Sequence, residues 1–254
     1  MTVATVIVCA HNEEKLIREC LRSIIQQTDP PGHVVVVADN CTDSTVAIAK
    51  NELKDERSSI IEKRRAGWKN SISENLQMGL REARGDAIVV VDADITIPPD
   101  LLARLLPQLE QFAVVSPIVR TDSSQGILNW LVSLWERTYA IAPLGEQPRG
   151  GTRAIAINAL NSVGGFRDVY AWESDLDERL REAGFRVKLD RSLKVIHRRK
   201  MTLRHSISYQ IQAGRARREL HVSLLRTLLH SIVRLRPFVV VGYMKRSEPY
   251  TGTR

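Results

Sequence analysis

Short apolar runs and amphipathic stretches alternate over residues 3–99. Residues 3–9, 33–38, 60–62 and 87–91 are nearly continuous apolar runs rich in Val and Ile. Runs of that length predict strands buried on both faces, as in a parallel sheet. Between them, residues 15–27, 46–53 and 72–84 carry apolar positions at helical spacing, the last with Leu76, Gly79 and Leu80 inward. Asn12 is placed to cap the first of these helices, and Thr42 or Asp43 the second. Strand and helix in turn predict a doubly wound α/β sheet.

Beyond Pro99 the rhythm changes. Residues 101–112 predict a helix, and 113–119 a strand whose Pro117 points to a place near the sheet edge. Residues 127–140 predict an amphipathic helix with Trp130 and Trp135 as packing residues. Arg149-Gly150-Gly151-Thr152 is a glycine-rich loop leading into a strand over 154–157. Trp172-Glu173-Ser174-Asp175 precedes a helix over 176–183 that Gly184 ends. Residues 185–190 and 193–196 read as two strands, the second ending on His197. From Leu203 a basic helical region runs to Arg236, followed by Pro237-Phe238-Val239-Val240-Val241 and a polar end.

A chain of 254 residues suits one large α/β domain or one domain with an appendage. No run approaches the ~18 apolar residues of a membrane span, and the start lacks a basic segment followed by a signal core. Cys9, Cys20 and Cys41 show no metal spacing and read as reduced thiols in a cytoplasmic setting. Charge sharpens the picture. Residues 191–254 hold 15 Lys and Arg against Glu219 and Glu248, a balance of +13, which leaves the rest at −5 of a net +8. A mildly acidic body with a basic end segment predicts an anionic partner: phosphate, a membrane surface or nucleic acid. Nucleic acid is disfavoured, because aromatic residues such as Tyr209 and Phe238 are not interleaved with the basic ones.

Asp92 and Asp94 close the strand at 87–91, where ligands bind in parallel sheets. Two residues apart, they can converge on one hard cation, and such a cation commonly holds a diphosphate. The plainer alternative is a strand end with solvated aspartates, stopped by Pro98 and Pro99.

Several such signals fall in one order. Ala10-His11-Asn12-Glu13 follows the first strand, and the segment from Asp39 to Thr45 follows the second. Asp92-Ala93-Asp94, Gly151-Thr152 and Gly164-Gly165-Phe166 come next, then Glu173-Ser174-Asp175 with Leu180 and Gly184-Phe185-Arg186-Val187. This ordered set, over about residues 3–200, resembles the inverting glycosyltransferases of family 2, with the GT-A fold. The resemblance implies a Rossmann-like, doubly wound mixed sheet, mostly parallel. It divides the chain into a nucleotide-sugar half at about 1–98, an acceptor half at about 99–200 and a basic helical extension at 201–254. It also implies a UDP- or GDP-linked sugar donor, Mn2+ or Mg2+, and inversion at the anomeric carbon.

Carried over residue by residue, Ala10, His11, Asn12, Glu13 and Asp39 would hold base and ribose, although Asp39 also suits an Asx-turn. Asp92 would meet the ribose or a metal-bound water and Asp94 would ligate the metal, with Ala93, Gly151 and Thr152 lining the donor site. His197 would approach the metal or diphosphate, or serve as a structural histidine. Counting back from Gly184 places the general base on Glu173, with Asp175 as runner-up; acids that merely favour a helix N-terminus are the alternative. Lys69 reads as a solvated loop lysine. Arg198, Arg199 and Lys200, with Arg204 and His205, suit a lid over the diphosphate or a solvated basic turn.

Gln212-Ala213-Gly214-Arg215-Ala216 has Ala216 where processive synthases of the family carry tryptophan, which favours transfer of a single sugar. The alternation of Arg with Leu, Ile and Val over 215–236 suits peripheral contact with the inner face of a membrane and a lipid-linked acceptor. Packing on the catalytic domain or a dimer suits it equally. A competing reading is a noncatalytic anion-binding module that uses the basic segment. A dinucleotide oxidoreductase is disfavoured, since His11-Asn12-Glu13-Glu14 stands where glycines would be needed.

Overall fold

The computed structural model describes residues 2–64, 67–137 and 151–245. The alternation read from the apolar runs is present: β1 (Ala4–Ala10), α1 (Ile17–Ile25), β2 (His33–Asp39), α2 (Thr45–Glu52), β3 (Ser58–Lys63), α3 (Ser71–Arg81) and β4 (Ala87–Asp92). β1 pairs in parallel with β2 and β4, and β2 with β3. Successive side chains point to opposite faces and feed two cores. Val6, Val8, Val34, Val36, Val89 and Val91 pack with Ile17, Leu21 and Ile24 of α1. Ile7, Val35, Val37, Ile88 and Val90 pack with Leu76 of α3. Burial on both faces is why these runs are apolar without a break.

Asn12 does not cap α1. Its backbone is left-handed, with φ 54°, and its Oδ1 accepts from the Thr42 amide at 2.8 Å, tying the loop after β1 to the loop after β2. At the next helix the N-cap is Ser44 and not Thr42 or Asp43, although Asp43 accepts from the Thr45 amide at 3.0 Å.

The second half comprises β5 (Ile95–Thr96), α4 (Leu101–Leu105), β6 (Val114–Thr121), α5 (Ile127–Arg137), β7 (Thr152–Ala156), α6 (Ile157–Ser162), α7 (Trp172–Glu182) and β8 (Val187–His197). The helix expected over 101–112 is cut short, since Pro107 turns the chain into a 3-10 helix at Leu106–Glu110. The sheet order is β3-β2-β1-β4-β7-β6-β8-β5. β7 runs antiparallel to β4 and β6, β6 runs parallel to β8, and β5 antiparallel to β8.

Three expectations need correction here. β6 lies between β7 and β8 and not near an edge. Its proline is tolerated because the register breaks there: Pro117 faces Asp190, whereas Ile118 faces Lys194. The residues 191–193 bulge out, so the two strands expected over 185–196 are one. Trp130 does not pack inward, for it is 53% exposed while Asn129 and Glu136 are the buried residues of α5. Residues 138–140 of that expected helix, and Arg149 and Gly150 of the glycine-rich loop, lie outside the described residues.

The basic region is three helices: α8 (Leu203–Glu219), α9 (Leu224–Val233) and α10 (Phe238–Met244). His221, with φ 53°, makes the turn after α8. α8 and α10 cross at Gly214 and Gly242, where a Cβ on Gly214 would lie 2.1 Å from the Val239 carbonyl oxygen. Glu219 ends α8 by pairing with Lys69 at 2.7 Å and accepting the Tyr170 amide at 2.6 Å. Lys69 is therefore a docking residue and not a solvated loop lysine. Among the described residues no helix is long and apolar enough to cross a membrane. The polar end at 246–254, with Glu248, lies outside the described residues.

Candidate active site

Strand register assembles the site. β5 pairs with β8 so that Ile95 faces His197, which brings Asp94 to the end of β8. His197 Nε2 lies 3.0 Å from Asp94 Oδ2, and the Arg198 amide donates to the Asp94 carbonyl at 2.8 Å. Arg199 then turns inward. Its Nε donates to Asp94 Oδ2 at 2.6 Å and its Nη2 to Glu13 Oε1. Arg198 leans the other way, to Thr96 Oγ1 at 2.9 Å and Asp122 Oδ2 at 3.0 Å. Residues far apart in sequence thus meet outside the carboxyl ends of β1 and β4.

Charge crowds at this point. Burial pushes the Asp92 carboxyl well above the usual range, and Asp94 and then Glu173 push it further. Burial pushes Asp94 up too, but hydrogen bonding from His197 and the charges of His197 and Arg199 outweigh it and hold it below the usual range. Burial raises Glu13 despite the neighbouring Arg199. α8 contributes Tyr209, whose phenol is raised by burial and then by Asp94.

β7 supplies the next wall. Its antiparallel register sets Thr152 opposite Val91, so the Asp92 amide donates to the Gly151 carbonyl at 3.0 Å. A Cβ on Gly151 would lie 2.7 Å from Ile95 Cδ1 and 3.4 Å from Asp92 Oδ2, so glycine keeps this corner open. Ala10, Ala93 and Thr152 are buried and shape the floor.

Glu173 is held in place by a residue that sequence reading missed. Arg153 of β7 is wholly buried, donating to both Asp177 oxygens at 2.9 and 3.0 Å, to the Glu173 carbonyl at 3.3 Å and to Ser116 Oγ at 3.2 Å. Its guanidinium also lies 5.5 Å from the Trp172 ring centre. These contacts pin the first turn of α7 to the sheet. That turn includes Glu173 and Asp175, which sit inside the helix and not ahead of it. Asp175 has a different setting: it pairs with Arg179 at 2.7 Å, and Arg179 also holds the carbonyls of Val163 and Gly165.

The end of β2 forms a second polar cluster. Asp39 Oδ2 accepts from Ser71 Oγ, from Asn75 Nδ2 at 3.0 Å and from Lys63 Nζ at 3.4 Å, while Oδ1 accepts from Asn40 at 3.0 Å. His11 Nδ1 lies 2.6 Å from the Asp39 carbonyl, and the Glu13 amide donates to Thr45 Oγ1 at 2.7 Å. Lys63, Ser71 and Asn75 were not legible as site neighbours, although Lys63 ends β3 directly opposite Asp39. That alignment of strand ends was the available signal.

Asp94 Oδ2 and His197 Nε2 lie at one point, with the side chains of Glu13 and Arg199 beside them and Asp92 close by in the chain. These oxygen and nitrogen donors suit a divalent cation. Among the described residues no three His, Cys, Asp or Glu side chains converge to form a metal cage of their own.

A mixed, mostly parallel sheet with helices on both faces and its carboxylates gathered at the strand ends is a GT-A architecture. The glycosyl transferase family 2 model matches residues 5–170, more than half of the chain, and the chain belongs to that family. A β-monoglucosyldiacylglycerol synthase from Synechocystis is 30% identical over 180 residues, which is 63% of this chain and 36% of that protein. The glycosyltransferase GlyA of Streptococcus pneumoniae is 35% identical over 142 residues, 53% of this chain and 20% of its own. The chain thus spans only a fifth to about a third of the length of these curated relatives. Among solved structures, a mannosyltransferase from Pyrobaculum calidifontis in complex with GDP-Man and Mn2+ superposes with a TM-score of 0.65. That match has 22% identity and covers 96% of this chain and 70% of the other. At this identity the likeness speaks for the fold.

Proposed function

We propose that this chain transfers a single hexose from a UDP- or GDP-linked donor to an acceptor hydroxyl or lipid phosphate, with inversion. The observation that carries the reading is the meeting of Glu13, Asp92, Asp94, His197 and Arg199 at the strand ends, beside the α7 turn that bears Glu173. The loop at Ala10, His11 and Asn12, with Asp39 behind it, faces base and ribose. Asp94 and His197 would hold Mn2+ or Mg2+, with Asp92 next to them. When bound, the metal supplies charge neutralisation for the leaving diphosphate. Arg199 adds a cation at the same place, and Tyr209 and the Gly151 corner bound the cleft.

Glu173 serves as general base: Arg153 pins its helical turn to the sheet, and its charge reaches Asp92. It takes the acceptor proton as the acceptor oxygen attacks the anomeric carbon on the side opposite the departing diphosphate, which inverts that centre. For the donor and the metal, support comes from structural neighbours solved with GDP-Man and Mn2+ or with UDP and Mg2+.

Calorimetric titration with UDP and with GDP, each with and without Mn2+, tests it. One nucleotide is expected to bind in a metal-dependent way, and Asp94→Ala is expected to abolish that dependence while leaving the circular dichroism spectrum intact. Absence of binding to either nucleotide by the folded protein would overturn the proposed donor.

A further inference from the structure

Two helices of this chain are amphipathic the wrong way round. On α9 the buried residues are Thr227 and Ser231, whereas Leu225, Leu228, Leu229 and Ile232 face outward at i, i+3, i+4 and i+7 spacing. Leu225 and Ile232 are 68% and 70% exposed. On α5 the buried residues are Asn129 and Glu136, whereas Ile127, Trp130, Leu131 and Leu134 face outward at the same spacing. A helix that folds in water for its own sake turns its apolar stripe toward the core. Here the inward faces are held by polar contacts instead. Glu136 accepts from the Thr121 amide at 3.0 Å and from Thr121 Oγ1 at 2.9 Å. Arg217 Nε donates to Thr227 Oγ1 at 3.2 Å.

The two stripes belong to joined elements. Trp135 of α5 donates its ring N–H to the Arg234 carbonyl, just past α9, at 3.0 Å. Between α9 and α10 lies an open apolar groove of about 480 Å³, lined by Leu228, Ile232, Leu235, Pro237 and Val240 with Ser231 at its base. Exposed apolar surface of this extent marks an interaction site.

Charge selects the occupant. Between residues 203 and 245 there are eight Lys and Arg against one acid, Glu219. Glu219 is engaged by Lys69 and the Tyr170 amide. Arg226 stands exposed on α9 and Lys245 just past α10. A second copy of the chain meeting this face about a twofold axis would set like charges against each other. An anionic bilayer complements it: apolar side chains enter the headgroup boundary, Arg and Lys meet lipid phosphates, and Trp130 suits the interface.

We propose that α5, α9 and α10 form an interfacial docking face for an anionic lipid bilayer, and that docking turns the acceptor side of the active site toward the membrane. The second clause rests on the sugar-transfer reading; the first does not. The link is direct. Asn129, on the inward side of α5, donates to the Arg199 carbonyl at 3.0 Å and accepts from the Met201 amide at 2.7 Å. The helix that carries one apolar stripe therefore grips the segment whose Arg199 holds Asp94 and Glu13. α8 carries Tyr209 at the site and crosses α10 at Gly214. The acceptor class this arrangement fits is a membrane-resident lipid with its polar head at the interface.

Flotation of the full chain with vesicles tests the docking face. Vesicles of phosphatidylcholine alone are compared with vesicles holding about 30 mol% phosphatidylglycerol, over a salt series. Binding is expected on the anionic vesicles, falling with salt. Arg226→Gln should weaken it about fivefold, the effect of one juxtamembrane cation, and Ile232→Glu with Leu225→Glu should remove it. Tryptophan emission should shift to the blue on binding, less so in Trp130→Tyr. Nucleotide binding measured with UDP or GDP and Mn2+ should match wild type in all these variants, which also reports that they fold. Loss of vesicle binding in a variant that keeps nucleotide binding supports the face. Equal flotation of wild type and the Glu variants would overturn it. So would a wild-type dimer that Ile232→Glu converts to monomer, which would assign the face to a second copy. If no nucleotide binds but vesicles do, the sugar-transfer reading fails and the docking face stands, with circular dichroism then reporting the fold.

Discussion

Glu173 and Asp175 are two positions apart in one helical turn, yet their surroundings separate their roles. Asp175 closes a ring with Arg179, whose guanidinium also satisfies the carbonyls of Val163 and Gly165. Glu173 lies close enough to Asp92 to raise its carboxyl. Glu173→Gln is therefore expected to lower kcat by about 10²–10⁴, the usual contribution of a general base, with nucleotide affinity unchanged. Asp175→Asn is expected to act mainly on stability, by about 1–3 kcal/mol, because a buried guanidinium loses its partner. Steady-state kinetics and urea denaturation on the two variants separate these outcomes, and the reverse pattern would move the base to Asp175. At this scale the sequence was readable where a motif ends a strand, as at Asp39, Asp92 and Asp94. It was not readable for Arg153, since nothing in Thr152-Arg153-Ala154-Ile155 announces a buried guanidinium; its partner Asp177 is on another element. Arg199 was visible only as part of a basic run, and its inward turn depends on the pairing of β5 with β8.

Elements show where pattern and packing part. The apolar runs of β1, β2 and β4 predict their own burial, because a strand covered on both faces has no polar side to hide. Pro117 misleads, because a register break in β8 lets an interior strand accommodate it. The helices α5 and α9 have the expected period, but periodicity alone does not give the face that turns outward: Trp130 of α5, expected to pack, is exposed. The helix α9 also carries a titratable weakness. His230 is pulled down to about 4 by burial first, then by Arg217, Arg236 and Arg234. The folded form thus refuses a proton that the unfolded form accepts near pH 6.5. Its contribution is complete above pH 6.5 and is lost as pH falls from there toward 4. Thermal unfolding across that window is expected to show a loss on the order of 1–2 kcal/mol, after allowance for solvent at a half-buried site. His230→Gln should flatten that slope, and an unchanged slope would place the acid sensitivity elsewhere.

The whole molecule joins a sheet held between two apolar cores to a helical unit of low apolar attachment. Two cores clamp the sheet from opposite faces, which fixes the strand ends on which the site depends. The helices α8 to α10 reach the body largely through polar contacts: Glu219 to Lys69 and Tyr170, and Trp135 to the Arg234 carbonyl. Because α5 and α9 turn their apolar stripes outward, little hydrophobic burial reinforces these bonds. Regions with few buried apolar contacts open locally, before the global transition. Glu219→Gln removes the ion pair and weakens the acceptor of the Tyr170 amide, a loss of about 1.5 kcal/mol for a hydrogen bond to a charged group. Amide exchange should then quicken about tenfold in the last turn of α8 and around Tyr170, with β1, β2 and β4 unchanged. Equal acceleration in the sheet would mean that helices and sheet unfold as one unit. Slower exchange of α9 in the presence of anionic vesicles, and not of neutral ones, would show the weakly attached unit gaining from lipid the apolar contacts that the body does not provide.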